Sequence, residues 1–335
     1  MKVHSKPNLK TICYLIIIFG VFSFGFMFGL IFNLDSKQCK QLVTNSDSKQ
    51  DLTSVDKILL VVVVFSSVSN TDRRDAIRET WLRLSADRKI KHYFIVGTLD
   101  LNESQLNSLY TEQRLHNDLV LFPHLKDTYS SLSHKLLSTL KWFSHKIEFN
   151  YLVKVDDDSF LRVDLLFDEL LERTVSKTDS RPLYLGFFDG RAHVKRSGHW
   201  SEQNWILCDR YLPYALGGGY VISEELVDFV AENARLLQLF VSEDVSLGVW
   251  LSPLNINRIH DIRFDTEYMS RGCLNRHIIT HKQSPKQLNI LYKNLQTFGK
   301  LCKTEIETKY SYEYNWNTQP SLCCHRNVSL KSVVK

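Results

Sequence analysis

Three consecutive aspartates, Asp156, Asp157 and Asp158, follow the apolar stretch 151–155 of this sequence. Because side chains alternate along an extended chain, Asp156 and Asp158 are expected on one side and Asp157 on the other. Two carboxylates on one side repel each other unless a cation lies between them. A divalent ion such as Mg²⁺ or Mn²⁺ takes oxygen ligands and is often shared with phosphate groups. The alternative is a solvated acidic turn, but the apolar segments on both sides favour a metal site.

The stretch TDRRDAIRETW (71–81) carries a pair of arginines, Arg73 and Arg74, in the first turn of a predicted helix. Arginine forks at a helix N-terminus can bind a diphosphate. The alternative is that Asp72 and Asp75 simply neutralise the two cations. The sequence has no glycine-rich phosphate-binding motif, so a metal and arginines would have to hold any diphosphate.

The stretch VSEDVSLGVWL (241–251) places Glu243 and Asp244 in the first turn of a helix that Ser242 can cap. The helix dipole favours ionised carboxylates there, which suits a general base, although acids are ordinary in first turns. His281 ends an apolar run and could complete a metal shell, whereas a lone histidine is more often structural.

Two further features could contact a ligand. The glycines at 217–219 interrupt a predicted strand, which indicates either close approach of a backbone or ligand, or a β-bulge. Trp200 and Trp205 lie in a polar loop, where they could stack on sugars or anchor the loop against the core.

Apolar runs alternate with helical patterns from Ile58 onward, which predicts an α/β layered fold with a largely parallel sheet. In such folds, ligands bind beyond the carboxyl ends of the strands. The aspartate triplet and the arginine-containing stretch both fall at such ends.

The N-terminal part predicts a type II membrane anchor: a cytoplasmic tail (1–11), an uncharged apolar span (12–34), a polar stem (35–55) and a lumenal domain (56–335). Lys2, Lys6 and Lys10 precede the span and favour a cytoplasmic N-terminus. A cleaved signal peptide is the rival interpretation, but no small-residue cleavage site follows the span. Gly25 and Gly29 form a GxxxG pattern that predicts a homodimer through the span.

The cysteines and sequons fit a lumenal domain. Six of the seven cysteines follow the span and are expected to pair, with Cys323 and Cys324 bonding to separate partners. Asn102 and Asn327 are glycosylation acceptors. The net charge of +5 includes three lysines of the tail, so the composition excludes a nucleic-acid-binding footprint.

Five motifs in order, RRDAIRETW, VKVDDDSF, YALGGGYVIS, SEDVSLG and ITHK, resemble the β-1,3-galactosyltransferases of the fringe-like group, a type II Golgi family. The resemblance runs from about Ile58 to Cys324. The stretches LYLGFFDGRAHVK and HDIRFDTEYMSRGC are most similar to members that build the xylose–galactose–galactose linker of proteoglycans. The resemblance implies a glycosyltransferase A-type fold, a UDP-galactose donor, Mn²⁺ as cofactor and inverting transfer to the galactosyl-β-1,4-xylosyl acceptor.

The resemblance also assigns roles to single residues. It implies that Asp158 and His281 bind the metal and that Asp244 is the catalytic base. The implied donor-site residues are Arg74, Arg78, Lys154, Asp156 and Asp157, and the expected acceptor contacts are Trp200, Trp205, Gly218, Gly219, Tyr220 and Glu243. Ala215 and Leu216 stand where many relatives have a cysteine, so one disulfide of the family is not expected here.

Two alternatives stay open. One is a β-1,3-N-acetylglucosaminyltransferase, which would use UDP-N-acetylglucosamine as its donor. The other is a lumenal glycan-binding protein that keeps the fold and lacks turnover.

Overall fold

The computed structural model describes residues 57–86, 88–176, 179–198 and 200–326. The predicted tail, membrane span and stem, together with the sequon at Asn327, lie outside the described residues. Within the described part, no helix has the length and apolar character needed to cross a bilayer.

A seven-stranded sheet forms the centre of the domain. Its strands are β1 (Ile58–Phe65), β2 (Ile90–Gly97), β3 (Leu119–Phe122), β4 (Phe149–Asp156), β6 (Leu183–Asp189), β7 (Tyr214–Ser223) and β8 (Asn257–His260), in the spatial order β3-β2-β1-β4-β7-β6-β8. All neighbouring pairs are parallel except those that β7 makes with β4 and β6. The expected largely parallel α/β fold is confirmed, with β7 as the reversed strand.

Seven helices and three 3₁₀ turns connect these strands in the described part. The helices are α1 (Thr71–Glu79), α2 (Glu103–His116), α3 (Leu132–Lys146), α4 (Val163–Ser176), α5 (Glu224–Glu232), α6 (Glu243–Leu251) and α7 (Pro285–Phe298), and the 3₁₀ turns are Trp81–Ser85, Tyr129–Ser131 and Pro320–Leu322. Local signals explain several ends. Asn102 and Ser284 form capping boxes at the starts of α2 and α7, and α7 ends at Gly299 with φ 66°.

The hydrophobic core surrounds the central sheet. Residues 60–64 of β1 are fully buried, as expected for a central strand with both faces covered. The helices supply apolar stripes to the same core, for example Leu136, Leu140 and Phe143 of α3. This packing fixes the carboxyl ends of β1 and β4, where the aspartates begin.

A small second sheet brings distant segments to those strand ends. It consists of β5 (Phe160–Leu161), β9 (Phe264–Asp265) and β11 (Ile279–Thr280), in the order β5-β11-β9. Thr280 pairs with Phe160, so the residue after Thr280 lies beside the residues before Phe160. A third sheet of two antiparallel strands consists of β10 (Gly272–Cys273) and β12 (Ile306–Glu307), which precede and follow β11 in the chain.

The disulfides differ in part from the prediction. Cys273 is bonded to Cys302, and Cys323 is bonded to Cys324 with a Cα–Cα distance of 3.7 Å. The expectation that the adjacent cysteines bond to separate partners is wrong. Both are buried, whereas the remaining described cysteine, Cys208, is exposed and lies in a different loop.

Candidate functional site

The aspartate triplet sits where β4 ends, and its side chains separate as alternation along the strand requires. The backbone N–H of Asp157 donates to the carbonyl of Phe65 at the end of β1 (3.2 Å), which extends the pairing past the strand. The side chain of Asp157 accepts from Asn70 (2.8 Å) and lies 3.4 Å from the guanidinium of Arg73. Asp156 and Asp158 instead face His281.

Asp156, Asp158 and His281 form a group whose ligand atoms all lie within 4.8 Å of one another. Nε2 of His281 is 2.9 Å from Oδ1 of Asp158 and 3.4 Å from Oδ2 of Asp156. The second sheet accounts for this meeting, because the backbone N–H of His281 donates to the carbonyl of Asp265 in β9 (3.1 Å). Gln283 donates its backbone N–H to the carbonyl of Asp158 (2.7 Å), which holds the two segments together.

The chemistry of this group fits a divalent ion. Oδ1 of Asp158 and both ring nitrogens of His281 are buried and have no hydrogen-bond partner among the described residues, despite the short distance between two of them. Buried polar atoms are normally hydrogen-bonded, and unpaired ones call for an explanation. Two carboxylates and an imidazole are suitable ligands for Mn²⁺ or Mg²⁺. Oδ1 of Asp158 and Nε2 of His281, which lie close to Oδ2 of Asp156, therefore support the predicted metal site.

The ionisable side chains in this group shift one another's pKa values. Burial would lower the pKa of His281, but the two neighbouring carboxylates raise it to about 9. Burial would raise the pKa of Asp156, yet the ammonium of Lys154 and the ring of His281 hold it well below its ordinary value. In Asp157 burial wins and raises the pKa, although Asn70 and Arg73 oppose this shift. The three aspartates thus have three different electrostatic environments.

A second carboxylate pair, Glu243 and Asp244, opens α6 on the other side of the same cleft. Oδ2 of Asp244 accepts the backbone N–H of Gly217 (2.9 Å), and Oδ1 accepts the backbone N–H of Val245 (2.8 Å). Burial first, and the charge of Glu243 second, raise the pKa of Asp244 to about 7. Glu243 is held by Lys154, whose Nζ lies 2.7 Å from its Oε1. The raised pKa makes Asp244 a candidate for proton transfer near neutral pH.

The lining of one cavity of about 430 Å³ includes Asp156 and His281 of the first group together with Glu243 and Asp244. Tyr129, Trp200 and Tyr268 also line it. Two members of the candidate metal-site group and a carboxyl group with a raised pKa therefore face the same space.

The glycines at 217–219 are required by close approach of other side chains. A Cβ on Gly218 would lie 2.5 Å from Nδ1 of His281, and one on Gly217 would lie 3.1–3.2 Å from carboxylate oxygens of Glu243 and Asp244. The strand pairing is also irregular there, since Gly186 of β6 pairs with Tyr220 but Phe188 pairs with Ala215. Both alternatives drawn from the sequence, close approach and a bulge, are thus present.

The structure places Arg74 and Arg78 differently from the prediction. Arg74 is fully buried, and its five N–H donors are used by Glu112, Ser66, the carbonyl of Ser67 and Thr71.

Arg78 forms ion pairs with Glu112 (2.7 Å) and Asp118 (2.8 Å). These contacts fasten α1 to α2 and to the residue before β3, and they engage both guanidinium groups with other side chains of the protein. A direct donor contact is therefore not supported for either arginine.

Arg73, which was not among the assigned donor residues, is the arginine that reaches the aspartates. Its side chain is about one-third exposed, and NH1 lies 3.4 Å from Asp157 and 3.7 Å from Asp158. Lys282 is a second nearby cation, with Nζ 3.6 Å from Asp158. The sequence contained a signal for Arg73, because the arginine pair in the first turn had already suggested an anion site.

The expected acceptor residues are also divided. Trp200 is 40% exposed at the cavity, where its ring meets that of Tyr268 edge to face at 5.4 Å. Trp205 is buried in a separate cluster with Tyr211 and Phe240, so it anchors the loop rather than facing the cavity. Tyr220 is fully buried beneath Lys154, and this burial prevents direct contact with an acceptor.

Three other assigned residues have structural contacts in the cleft or at the surface. Gly218 packs on the metal-site histidine, and Gly219 packs on Ile279. Asn102 is exposed, and its side-chain oxygen caps α2 by accepting from Gln105 (2.9 Å). Its amide nitrogen is not needed for that cap, so a glycan at Asn102 is compatible with the capped helix.

Sequence comparison now identifies the family. The profile of the galactosyltransferase family matches residues 72–262, which contain the aspartates and Asp244. The chain belongs to the galactosyltransferase family. The resemblance drawn from the motifs is thereby confirmed, and this galactosyltransferase is an enzyme.

Two relatives illustrate the range of similarity. The galactosyltransferase is 45% identical over 273 residues to beta-1,3-galactosyltransferase 6 of Mus musculus, covering 81% of this chain and 83% of that protein. It is 30% identical over 260 residues to beta-1,3-galactosyltransferase GALT1 of Arabidopsis thaliana, covering 73% of this chain and 39% of that protein. A solved glycosyltransferase involved in glycosylation of the PBCV-1 major capsid has a TM-score of 0.40 at 9% identity, covering 69% of this chain and 97% of that chain. That structural similarity is too low to support any functional argument.

Proposed function

We propose that this galactosyltransferase transfers galactose from UDP-galactose in β-1,3 linkage to the galactose of a galactosyl-β-1,4-xylosyl acceptor on proteoglycan core proteins. The single observation that carries the proposal is the common cavity between the Asp156–Asp158–His281 group and Asp244. The 45% sequence identity to a mouse protein named beta-1,3-galactosyltransferase 6 supports the proposed linkage and the proposed donor sugar. The predicted Golgi location and type II topology belong to the same proposal.

The donor half of the cavity would hold the diphosphate. Asp158, His281 and Asp156 would hold a divalent ion, proposed to be Mn²⁺, which when bound neutralises charge on the departing diphosphate. Arg73 and Lys282 lie beside Asp158 and can contribute further positive charge there. Asp157, which faces Asn70 and Arg73, is left for contact with the nucleoside side of the donor.

The acceptor half would activate a sugar hydroxyl. A hydroxyl group is a weak nucleophile at neutral pH unless a base removes its proton during attack. Asp244 can accept that proton, because each of its carboxylate oxygens has one backbone N–H partner and retains a lone pair. A single base that drives direct displacement of UDP inverts the anomeric carbon, which converts an α-linked donor into a β-linked product.

Aromatic rings at the mouth of the cavity suit the acceptor sugar. Trp200 and Tyr268 both line the cavity, and both are exposed there. Aromatic faces offer apolar contact area to sugar rings while remaining partly in water. We therefore assign these two residues to the acceptor side, in place of the buried Trp205 and Tyr220.

A donor panel tests the proposal. Release of UDP is measured with UDP-galactose and with UDP-N-acetylglucosamine, each with a galactosyl-β-1,4-xyloside acceptor, and NMR determines the linkage of the product. The expected result is a β-1,3-galactosyl product from UDP-galactose alone. Preference for UDP-N-acetylglucosamine would replace the donor assignment. Acceptor binding without any UDP release would instead indicate a glycan-binding protein.

A further inference from the structure

Lys154 is a buried lysine that stands between the two halves of the cavity. It lies on β4, two residues before Asp156, and its side chain is 2% exposed. Nζ donates to Oδ1 of Asp156, to Oε1 of Glu243 and to the carbonyl oxygen of Gly217, each at 2.7 Å. An ammonium group has three donors, so these contacts use all of them.

This arrangement differs from the donor-binding role expected for Lys154. Its ammonium lies 4.9 Å from the centre of the Phe65 ring and 5.8 Å from that of Tyr220, which further encloses it. No N–H remains to contact a sugar or a phosphate. Lys154 can therefore affect the reaction only indirectly, through the three groups to which it donates hydrogen bonds.

Those groups belong to different parts of the site. Asp156 lies in the metal-site group, whereas Glu243 directly precedes Asp244 in α6. Gly217 links the two, since its carbonyl accepts from Lys154 and its N–H donates to Asp244 (2.9 Å). The chain of contacts thus runs from Asp156 through Lys154 and Gly217 to Asp244.

We propose that Lys154 is a positioning residue that sets the location of Asp244 relative to the metal-site carboxylates. It does so by holding Gly217 and Glu243 against Asp156. This inference rests on the proposed function, because Asp244 is the base in that proposal. Shifts of about 1 Å in a reacting group can lower a rate about 100-fold, so the contacts by which Lys154 positions Asp244 should affect kcat.

The same contacts give Asp244 a charge environment that can be measured. Glu243 lies beside it on α6 and raises its pKa, while Lys154 on β4 lowers it. Asp244 also interacts with tyrosines from neighbouring elements, namely Tyr129, Tyr184, Tyr211, Tyr214 and Tyr220. Neutral tyrosines carry no charge near pH 7. After burial, which is the largest cause of the raised pKa of Asp244, Glu243 and Lys154 are the charged groups that shift it.

The test compares Lys154→Met with Lys135→Met in the full-length chain. Lys135 is a matched control: it is also buried (3% exposed), also lies near the Phe65 ring (5.4 Å), and binds Asp127 and the Ser66 carbonyl instead. Lys154→Met is expected to lower kcat about 100-fold with little change in acceptor KM. It should also raise the pH midpoint of kcat/KM by about one unit, because a nearby positive charge is lost. Lys135→Met should lower the melting temperature and leave the midpoint in place.

Two more variants extend the test. Glu243→Gln removes the neighbouring negative charge and is expected to move the midpoint downward, and it keeps the test valid if Lys154→Met does not fold. The double variant Lys154→Met/Glu243→Gln should return the midpoint toward the wild-type value. Unchanged midpoints in Lys154→Met and Glu243→Gln, with stability losses like that of Lys135→Met, would overturn the inference.

A readout without turnover separates this inference from the proposed function. The melting temperature of each metal-free protein is compared with that of its Asp244→Asn counterpart across pH 4 to 9. The difference reports ionisation of Asp244 whether or not the chain transfers galactose. A shift in the pH midpoint of Asp244 ionisation in Lys154→Met supports the positioning role of Lys154 even if the donor assignment fails. An unchanged pH midpoint in Lys154→Met refutes the positioning role of Lys154 even if galactose is transferred.

Discussion

Replacing Gly218 with alanine should damage the metal site while leaving the fold largely intact. The new Cβ would lie 2.5 Å from Nδ1 and 2.7 Å from Cγ of His281, where ordinary contact begins at 3.4 Å. The ring must therefore retreat by about 0.9 Å, whereas metal–ligand distances tolerate about 0.2 Å. Loss of support for a metal ligand typically costs about 10–100-fold in metal affinity. We expect a loss of that size in Mn²⁺ affinity, measured by calorimetry in the presence of UDP.

Gly219→Ala is the matched control for this variant. Its Cβ would meet the terminal Cδ1 of Ile279 at 2.6 Å, a side chain that can turn within the core. We expect about 1–3 kcal/mol of lost stability from overpacking and nearly unchanged Mn²⁺ affinity. If Gly218→Ala folds and binds Mn²⁺ as tightly as the wild type, the assignment of His281 as a metal ligand is refuted.

Three further predictions concern the base, the arginines and the tryptophans. Activity should rise with pH through about 7, because Asp244 must lose its proton to act as a base. Asp244→Asn should lower kcat at least about 100-fold. A flat pH–rate profile would contradict the role of Asp244. Arg74→Ala should lower the free energy of unfolding by about 1–3 kcal/mol, because buried Glu112 keeps its ion pair with Arg78 but loses the one with Arg74, and the Ser67 carbonyl loses its donor. Arg73→Ala should mainly raise the KM for the donor. Urea titrations and donor kinetics on both variants will show whether the roles are reversed. Trp200→Ala should raise the acceptor KM with little loss of stability, while Trp205→Ala should cost about 3–5 kcal/mol of stability; equal effects of the two on acceptor KM would be evidence against the cavity assignment.

The layered fold was predictable because its signals are local. The apolar run at 58–65 and the alternation of strand and helix patterns indicated a parallel α/β sheet, which the structure has. The reversed direction of β7 was not predictable, since an apolar strand carries no mark of its direction. That direction depends on the long connection from residue 190 to residue 213, which has few local signals.

The metal-site group was predictable in part. Alternation along β4 was sufficient to place Asp156 and Asp158 on one side, and the structure agrees. Their meeting with His281 depends on the pairing of β5 with β11, which joins segments more than 100 residues apart. The local pattern offered His281 as a metal ligand only beside the alternative of a structural histidine, and the resemblance to a family made the assignment.

The arginines show where the assignment carried over from the resemblance differs from the contacts in the structure. Arg74 and Arg78 are four residues apart, so they share one helix face and point together at α2 and β3. Their carboxylate partners, Glu112 and Asp118, are about 40 residues further along the chain and cannot be inferred from helical spacing. Arg73 lies on the adjacent face, which is the one that meets the aspartates.

The most direct test of the central claim is calorimetry of UDP binding with Mn²⁺ and with a chelator. It should be carried out on the wild type, Asp158→Asn and Asp244→Asn, with galactosyl transfer measured on the same samples. The account predicts that the wild type and Asp244→Asn bind UDP only with Mn²⁺, that Asp158→Asn binds poorly, and that only the wild type transfers galactose. An affinity for UDP that is the same with Mn²⁺ and with the chelator would contradict the account. Galactosyl transfer by Asp244→Asn at the wild-type rate would also contradict it.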